Sequence, residues 1–190
     1  MPQVALPFAE QVILTLAALI LFSSFLLLAQ NRVISLIHTF AWQGGLLFLT
    51  TVMMAATFGR HHLYISAAIT LGLKVFFIPW QLRRMVVRLD IRRQVETVTG
   101  GPLLVMLSAG ALTIFSYYVV LPIRDLALFS TRNTIAVSLA VILIGMLMII
   151  TRRKAVAQVI GFMSMENGLF FAAVVSTYGM PMVVELGIAF

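Results

Sequence analysis

Residues 11–29 read QVILTLAALILFSSFLLLA, a run without a single Asp, Glu, Lys or Arg. At about 1.5 Å per residue this stretch makes a helix of nearly 30 Å, the thickness of a bilayer's hydrocarbon core. Lipid cannot satisfy unpaired backbone N–H and C=O groups, so a run of this length crosses as an α-helix. Comparable runs recur near 33–58, 63–82, 102–122, 133–150 and 155–178, which predicts six complete spans. A seventh begins at Pro181 and has ten residues up to and including Phe190. Ten residues rise only about 15 Å, so the sequence is expected to stop part-way through that helix, 181–190. The predicted fold class is all-α, a polytopic transmembrane helix bundle of six full spans plus a truncated seventh, with 1–190 forming one integral membrane domain.

Composition agrees with that reading. Of 190 residues 62% are hydrophobic and 10% charged, against about 45–50% and about 25% in soluble proteins, and the mean hydropathy is +1.08. The N-terminal MPQVALPFAEQ carries Glu10 and no Lys or Arg, so it lacks the basic region of a secretory signal, and the first span is expected to be retained. The chain has no cysteine, which excludes disulfides, thiolate zinc sites and cysteine-ligated iron–sulfur clusters within it. The net charge of +7 does not imply nucleic acid, because in a membrane protein the placement of charges says more than their sum.

That placement is lopsided. Arg32, then Arg83, Arg84, Arg88, Arg92 and Arg93, then Arg152, Arg153 and Lys154 fall on alternate loops, while the opposite loops hold Arg60, Arg124 and Arg132. Loops rich in Lys and Arg stay cytoplasmic, so the N-terminus is expected to face outward. The largest loop, 83–101, reads RRMVVRLDIRRQVETVTGG, and its Arg84, Arg88 and Arg92 share one face if it is helical. It serves either as a docking surface for a cytoplasmic partner or as an anchor on lipid headgroups, and the orientation rule favours the anchor.

Ionisable residues inside spans are expensive, about 2.5–3.5 kcal/mol each near a helix centre on insertion scales. Lys74 and Glu166 each lie eleven residues into their spans, about 16 Å deep and so at one level near the midplane. Ser66, Thr70 and Lys74 recur every four residues, with Gln81 at the end of the same span, which draws a polar stripe along one helix face. Pro79 lacks an N–H and frees the carbonyl of Val75, so a kink and a wet pocket are expected beside the lysine. The alternative is a lysine that snorkels to the headgroups. Around Glu166 the sequence is IGFMSMENGLFFAA, with Asn167 alongside and Gly161, Ser164 and Gly168 permitting another helix to approach closely. A carboxyl in low dielectric favours its neutral form and a nearby ammonium favours the ionised one, so small movements load and unload a proton. A permanently protonated, hydrogen-bonded Glu is the structural alternative.

His38 is the histidine placed within a span, near Ser35, Thr39 and Gln43, either a proton relay or an interhelical hydrogen bonder. His61-His62 has neither cysteine nor acidic ligands nearby, so no metal site is expected, and a bis-histidine haem lacks a second axial ligand in any other span. With no phosphate loop, nucleophile elbow or metal-ligand cluster, the chain is not expected to be an enzyme on its own.

The segment from Arg152 to Val175, RRKAVAQVIGFMSMENGLFFAAVV, resembles component E, a membrane subunit of group-four NiFe hydrogenases of the formate-hydrogenlyase type. Its last spans are similar in turn to the K-type subunit of respiratory NADH:quinone oxidoreductase, in which a basic pair precedes a helix with a midmembrane glutamate, here Arg152-Arg153 and Glu166. The resemblance implies a multi-pass subunit of a bacterial or archaeal cytoplasmic membrane, lying between antiporter-like subunits and a hydrogenase-proximal membrane subunit. It implies carboxylates on a central polar axis for proton or sodium translocation, with the nickel–iron and iron–sulfur centres in partner subunits and no cofactor in this chain. Glu166 falls about one helical turn later than the K-type glutamate, a shift that preserves the helix face. The second acidic residue of that family has only Glu185 as a candidate, four residues beyond Pro181. The functional expectation is a proton or sodium path carried by Glu166 and Lys74, with His38 as candidate relay and Asn167 beside it. The alternatives are a structural or assembly scaffold subunit whose buried charges fix helix register and, as a weaker third, a free-standing small-solute transporter, against which stands the lack of inverted repeats and paired broken helices.

Overall fold

With no water to take up free backbone groups, the chain pairs them within helices, and the computed structural model is almost wholly helical over the residues it describes, 8–58, 62–88, 101–122 and 129–176. These form α1 (Phe8–Ala29), α2 (Val33–Phe58), α3 (His62–Thr70), a π-helical segment π1 (Leu71–Phe77), α4 (Ile78–Arg88), α5 (Gly101–Val120), α6 (Phe129–Thr151) and α7 (Ala155–Ser176). There is no strand among the described residues. Since α3, π1 and α4 run on as one rod, the described chain supplies six helices long and apolar enough to cross a membrane. It is a multi-pass membrane protein. The truncated seventh span at 181–190, Glu185 and Arg92 lie outside the described residues.

The third rod is longer than the sequence suggests, reaching Arg88 instead of ending near 82. Beyond Gln81 its apolar residues keep helical spacing: Leu82 and Val86 are buried, while Arg83, Arg84 and Arg88 stay exposed. The first part of the basic segment is therefore an amphipathic continuation of the span. Arg84 stacks over the Trp80 ring at 5.3 Å, a cation–π contact of the kind found where a helix leaves the hydrocarbon.

The closest helix pair is α6 and α7, and glycines make it so. A Cβ on Gly145 would stand 2.7 Å from the Met165 nitrogen and 2.8 Å from the Gly161 oxygen, and one on Gly168 would meet Ile142 Cγ1 at 2.9 Å. Backbone against backbone at such range is how membrane helices gain van der Waals contact without a hydrophobic drive between them. α1 packs on α2 and α6, α5 lies against α6 and the flank of α1, and α2 carries α3, π1, α4 and α7 along its remaining sides. By contrast α5 turns Leu103, Leu107, Ile114 and Tyr118 outward, an apolar surface suited to lipid.

Two apolar cores result, one above the other. One gathers Leu27, Leu36, Phe40, Ile144, Met148 and Ile160 with their neighbours; the other gathers Ile20, Leu47, Met54, Val141, Phe170 and Phe171. Between Ile20 and Leu27, between Phe40 and Leu47, and between Ile160 and Phe170 the same helices place Ser24, Gln43 and Asn167, all buried. A polar layer thus separates the cores at mid-height.

Candidate intramembrane charge site

The layer is built outward from α1. The Ser24 hydroxyl donates to the Ile20 carbonyl across one helical turn at 3.1 Å and accepts from Gln43 Nε2 at 2.8 Å. Gln43 Oε1 accepts from Asn167 Nδ2 at 3.2 Å, and Asn167 Oδ1 accepts from Lys74 Nζ at 2.9 Å. The ammonium also lies 3.3 Å from Glu166 Oε1 and 5.6 Å from the centre of the Phe170 ring. One chain of polar groups therefore links α1, α2, α7 and π1.

That chain has a fixed direction. An ammonium has donors and no acceptor, and a backbone carbonyl accepts only. With Lys74 at one end and the Ile20 carbonyl at the other, both amides must donate away from the lysine. Buried polar groups are costly when unpaired, and here each amide uses its oxygen toward Lys74 and its NH2 toward Ser24. The ammonium is consequently held by a preset acceptor even before its counter-charge is considered.

The π-helix explains how Lys74 reaches the layer. Pro79 removes an N–H from the helix ladder, and just before it the Ile78 N–H bonds to the Leu73 carbonyl five residues back, the wider π pattern. The break expected ahead of Pro79 is thus a seven-residue π segment, and its extra residue per turn re-aims Lys74. Gly44 of α2 lies beside this segment, where a Cβ would stand in ordinary contact with Lys74 Cβ and Val75 Cγ2 at 3.4 Å each. Ser66 and Thr70 are buried, as is Lys74 at 8% exposure, so the stripe seen in the sequence faces protein and the lysine does not snorkel.

Glu166 differs from the rest. Its side chain keeps 22% of its surface open, against 10% for that of Lys74, so the carboxylate forms the outer end of the layer. His38 is not part of it: the histidine is exposed on α2, five residues from Gln43 and therefore about 140° round the helix from it. Gln43 and Ser24 are site residues that the sequence reading did not single out. For Gln43 a signal existed, since it lies ten residues into the α2 span that begins at Val33, about 15 Å deep and close to the level of about 16 Å found for Lys74 and Glu166. Ser24 has no such signal, because a serine in a membrane helix ordinarily bonds back to its own helix.

The basic pair also separates. Arg153 is exposed, whereas Arg152 is buried to 1% exposure at the end of α6. Its Nη2 donates to the Leu28 carbonyl in the last turn of α1, and its own carbonyl accepts from Gln158 Nε2 at 2.9 Å. A cation there suits the negative end of the α1 dipole. Burial pushes this guanidinium below its ordinary value, though an arginine stays charged in proteins. Among the described residues no three His, Asp or Glu side chains cluster as a metal site would require.

Comparison with known proteins adds a direction. The chain is similar to hydrogenase-4 component E. It is 26% identical to that protein of Escherichia coli K12 over 151 residues, covering 79% of this chain and 69% of the relative, and equally to the component E of Shigella flexneri. It is also 27% identical over 166 residues to the uncharacterized protein Rv0085 of Mycobacterium tuberculosis, covering 87% of this chain and 75% of that one. No family model matches the chain, and no solved structure matches it.

Proposed function

We propose that this protein is a membrane subunit of a hydrogenase-type oxidoreductase complex, and that its Lys74–Glu166 pair belongs to a proton or sodium path coupled to electron transfer in partner subunits. The distant likeness to hydrogenase-4 component E supports the first half. The second half rests on one observation: a midmembrane ion pair whose cation is locked by a one-way hydrogen-bond chain while its carboxylate is the open member. In this reading Lys74 is a fixed charge. Glu166 is the carrier, the member of the pair whose side chain is open for proton exchange. Asn167, Gln43 and Ser24 position the lysine and carry no proton themselves.

The same reading puts antiporter-like and hydrogenase-proximal membrane subunits beside this chain, the nickel–iron and iron–sulfur centres within partners, and the basic loops in the cytoplasm with the N-terminus outward. His38, on the open side of α2, is assigned to a partner-facing relay. The competing reading is a scaffold in which the layer only fixes helix register. Glu166→Gln separates the two, because Gln keeps the size and hydrogen bonding of a protonated Glu but cannot release a proton. The variant complex should assemble and turn over hydrogen with an artificial acceptor that bypasses the membrane arm, while proton or sodium uptake into vesicles per electron pair falls. Wild-type stoichiometry would leave the scaffold.

A further inference from the structure

The rotation of α7 decides what surrounds Glu166. Gly161 and Gly168 face α6 at backbone contact. Glu166 is five residues from one and two from the other, which at about 100° per residue sets it about 140–160° round the helix from both. Packing against α6 therefore compels the carboxylate to the far side of α7. Lys74 reaches over from π1 and covers part of it. The rest of that side is bare: Phe162 one turn before and Leu169 one turn after are 56% and 45% exposed, and Val159 continues the stripe. An apolar collar thus encircles a partly open carboxylate, and the depth count puts it about 16 Å into a core about 30 Å thick.

Apart from the chain's own span expected from Pro181, whose residues 181–190 supply one acid, Glu185, and no donor side chain, three surroundings are conceivable for such a face. Hydrocarbon offers no hydrogen-bond donor, and a polar group exposed to it is expensive. A second copy of this chain, paired about a two-fold axis along the membrane normal, would set Glu166 against Glu166 at the same height, one acceptor facing another with no donor between them. A helix from a different subunit has neither defect.

We propose that the Val159–Phe162–Glu166–Leu169 face of α7 is the seat of a transmembrane helix of a partner subunit, and that this helix brings a hydrogen-bond donor, cationic or hydroxyl, to the depth of Glu166. The chemistry follows from charge complementarity. Lys74 already neutralises the pair, so the outward side of the carboxylate needs a donor and not another acid, while Phe162 and Leu169 need apolar neighbours that exclude water around it. The inference rests on the reading of this chain as a subunit of a larger membrane complex.

The test uses the intact complex in native membranes, with a photoreactive benzophenone side chain replacing Phe162 or Leu169 in turn, and Leu107 and Ile114 of α5 as lipid-facing controls. Irradiation should join positions 162 and 169 to one and the same transmembrane helix of a subunit that copurifies with the complex. Peptide mapping should find a Lys, Arg, His, Ser, Thr or Tyr within a turn of the joined residues, and the controls should yield lipid adducts. Lipid adducts alone, no protein adduct at either position, or adducts to this chain itself, whether to its own residues beyond Ser176 or to a second copy, would overturn the proposal, as would a mapped helix without a donor near that depth. The outcome is independent of the ion path. Cross-links with unchanged translocation in Glu166→Gln keep the interface and remove the carrier role; lowered translocation with lipid adducts alone does the reverse.

Discussion

A double-mutant cycle on Lys74 and Glu166 probes the site most directly. At the observed 3.3 Å and an effective dielectric of about 20, two unit charges attract by about 5 kcal/mol, of which desolvation returns a part. Lys74→Met strands a carboxylate and leaves Asn167 Oδ1 without its donor, so the loss should approach the 3–5 kcal/mol typical, to order of magnitude, of breaking one side of a buried pair. Glu166→Gln should cost less, about 1–3 kcal/mol, because Lys74 retains Asn167 at 2.9 Å and the face of Phe170. In the double variant no charge is stranded, and its loss should fall short of the sum by roughly 2 kcal/mol, within the range seen for contacting residues. The assay is loss of folded subunit from the detergent-solubilised complex under increasing denaturant, read by resistance to proteolysis. Additivity within about 0.5 kcal/mol would mean that the two side chains do not sense each other, and the account of the site built on their pairing would fail.

Other expectations are more local. Gly145→Ala should destabilise by about 1–3 kcal/mol through overpacking, since its Cβ meets backbone at 2.7 and 2.8 Å, whereas Gly110→Ala, with nothing within 4 Å, should be neutral or stabilising; equal effects in the same proteolysis assay would contradict the α6–α7 contact. Arg152→Met should alter stability by no more than about 1 kcal/mol, because Nε and Nη1 have no protein partner and removing a poorly compensated buried charge offsets the lost bond to Leu28; a large loss would mean that a further group completes the site in the membrane. The chain contains no cysteine, so single cysteines at positions 90 and 126 give clean labelling, with the first accessible only from the cytoplasm and the second only from outside. The reverse pattern would invert the topology.

How much of this was legible beforehand follows from which forces act along one helix and which act between helices. Span positions follow from local hydropathy, and α2 runs from Val33 to Phe58 as its residues suggest. The shared depth of Lys74 and Glu166 is arithmetic on the rise per residue, and the two do meet. His38 stays outside the layer, because the direction of its side chain is set by which face of α2 receives α1 and α7. Gln43, at nearly the same depth as Lys74, turns inward and joins the layer instead. The π segment was half visible: Pro79 announces a break, but the partners that the widened turn brings to Lys74, Asn167 and Glu166, lie on another helix. Arg152 looked like one of a loop pair, and only the end of α1 explains its burial.

The arrangement of the polar layer bears on carrier against scaffold more than its existence does. A device that merely fixes register works best when every member is buried and neutral, as a single buried asparagine does in a coiled coil. Here the neutral members Ser24, Gln43 and Asn167 occupy the interior at no measurable exposure, and the charged members follow outward, Lys74 and then Glu166. Register would be served by the amides alone, since they already join α1, α2 and α7. Adding an ion pair at the midplane contributes nothing further to that purpose and costs desolvation of two charges. The graded order from inert amide to fixed cation to accessible carboxylate suits the proposed transfer step: the group assigned the proton stands at the open edge, and the cation is tied down behind it.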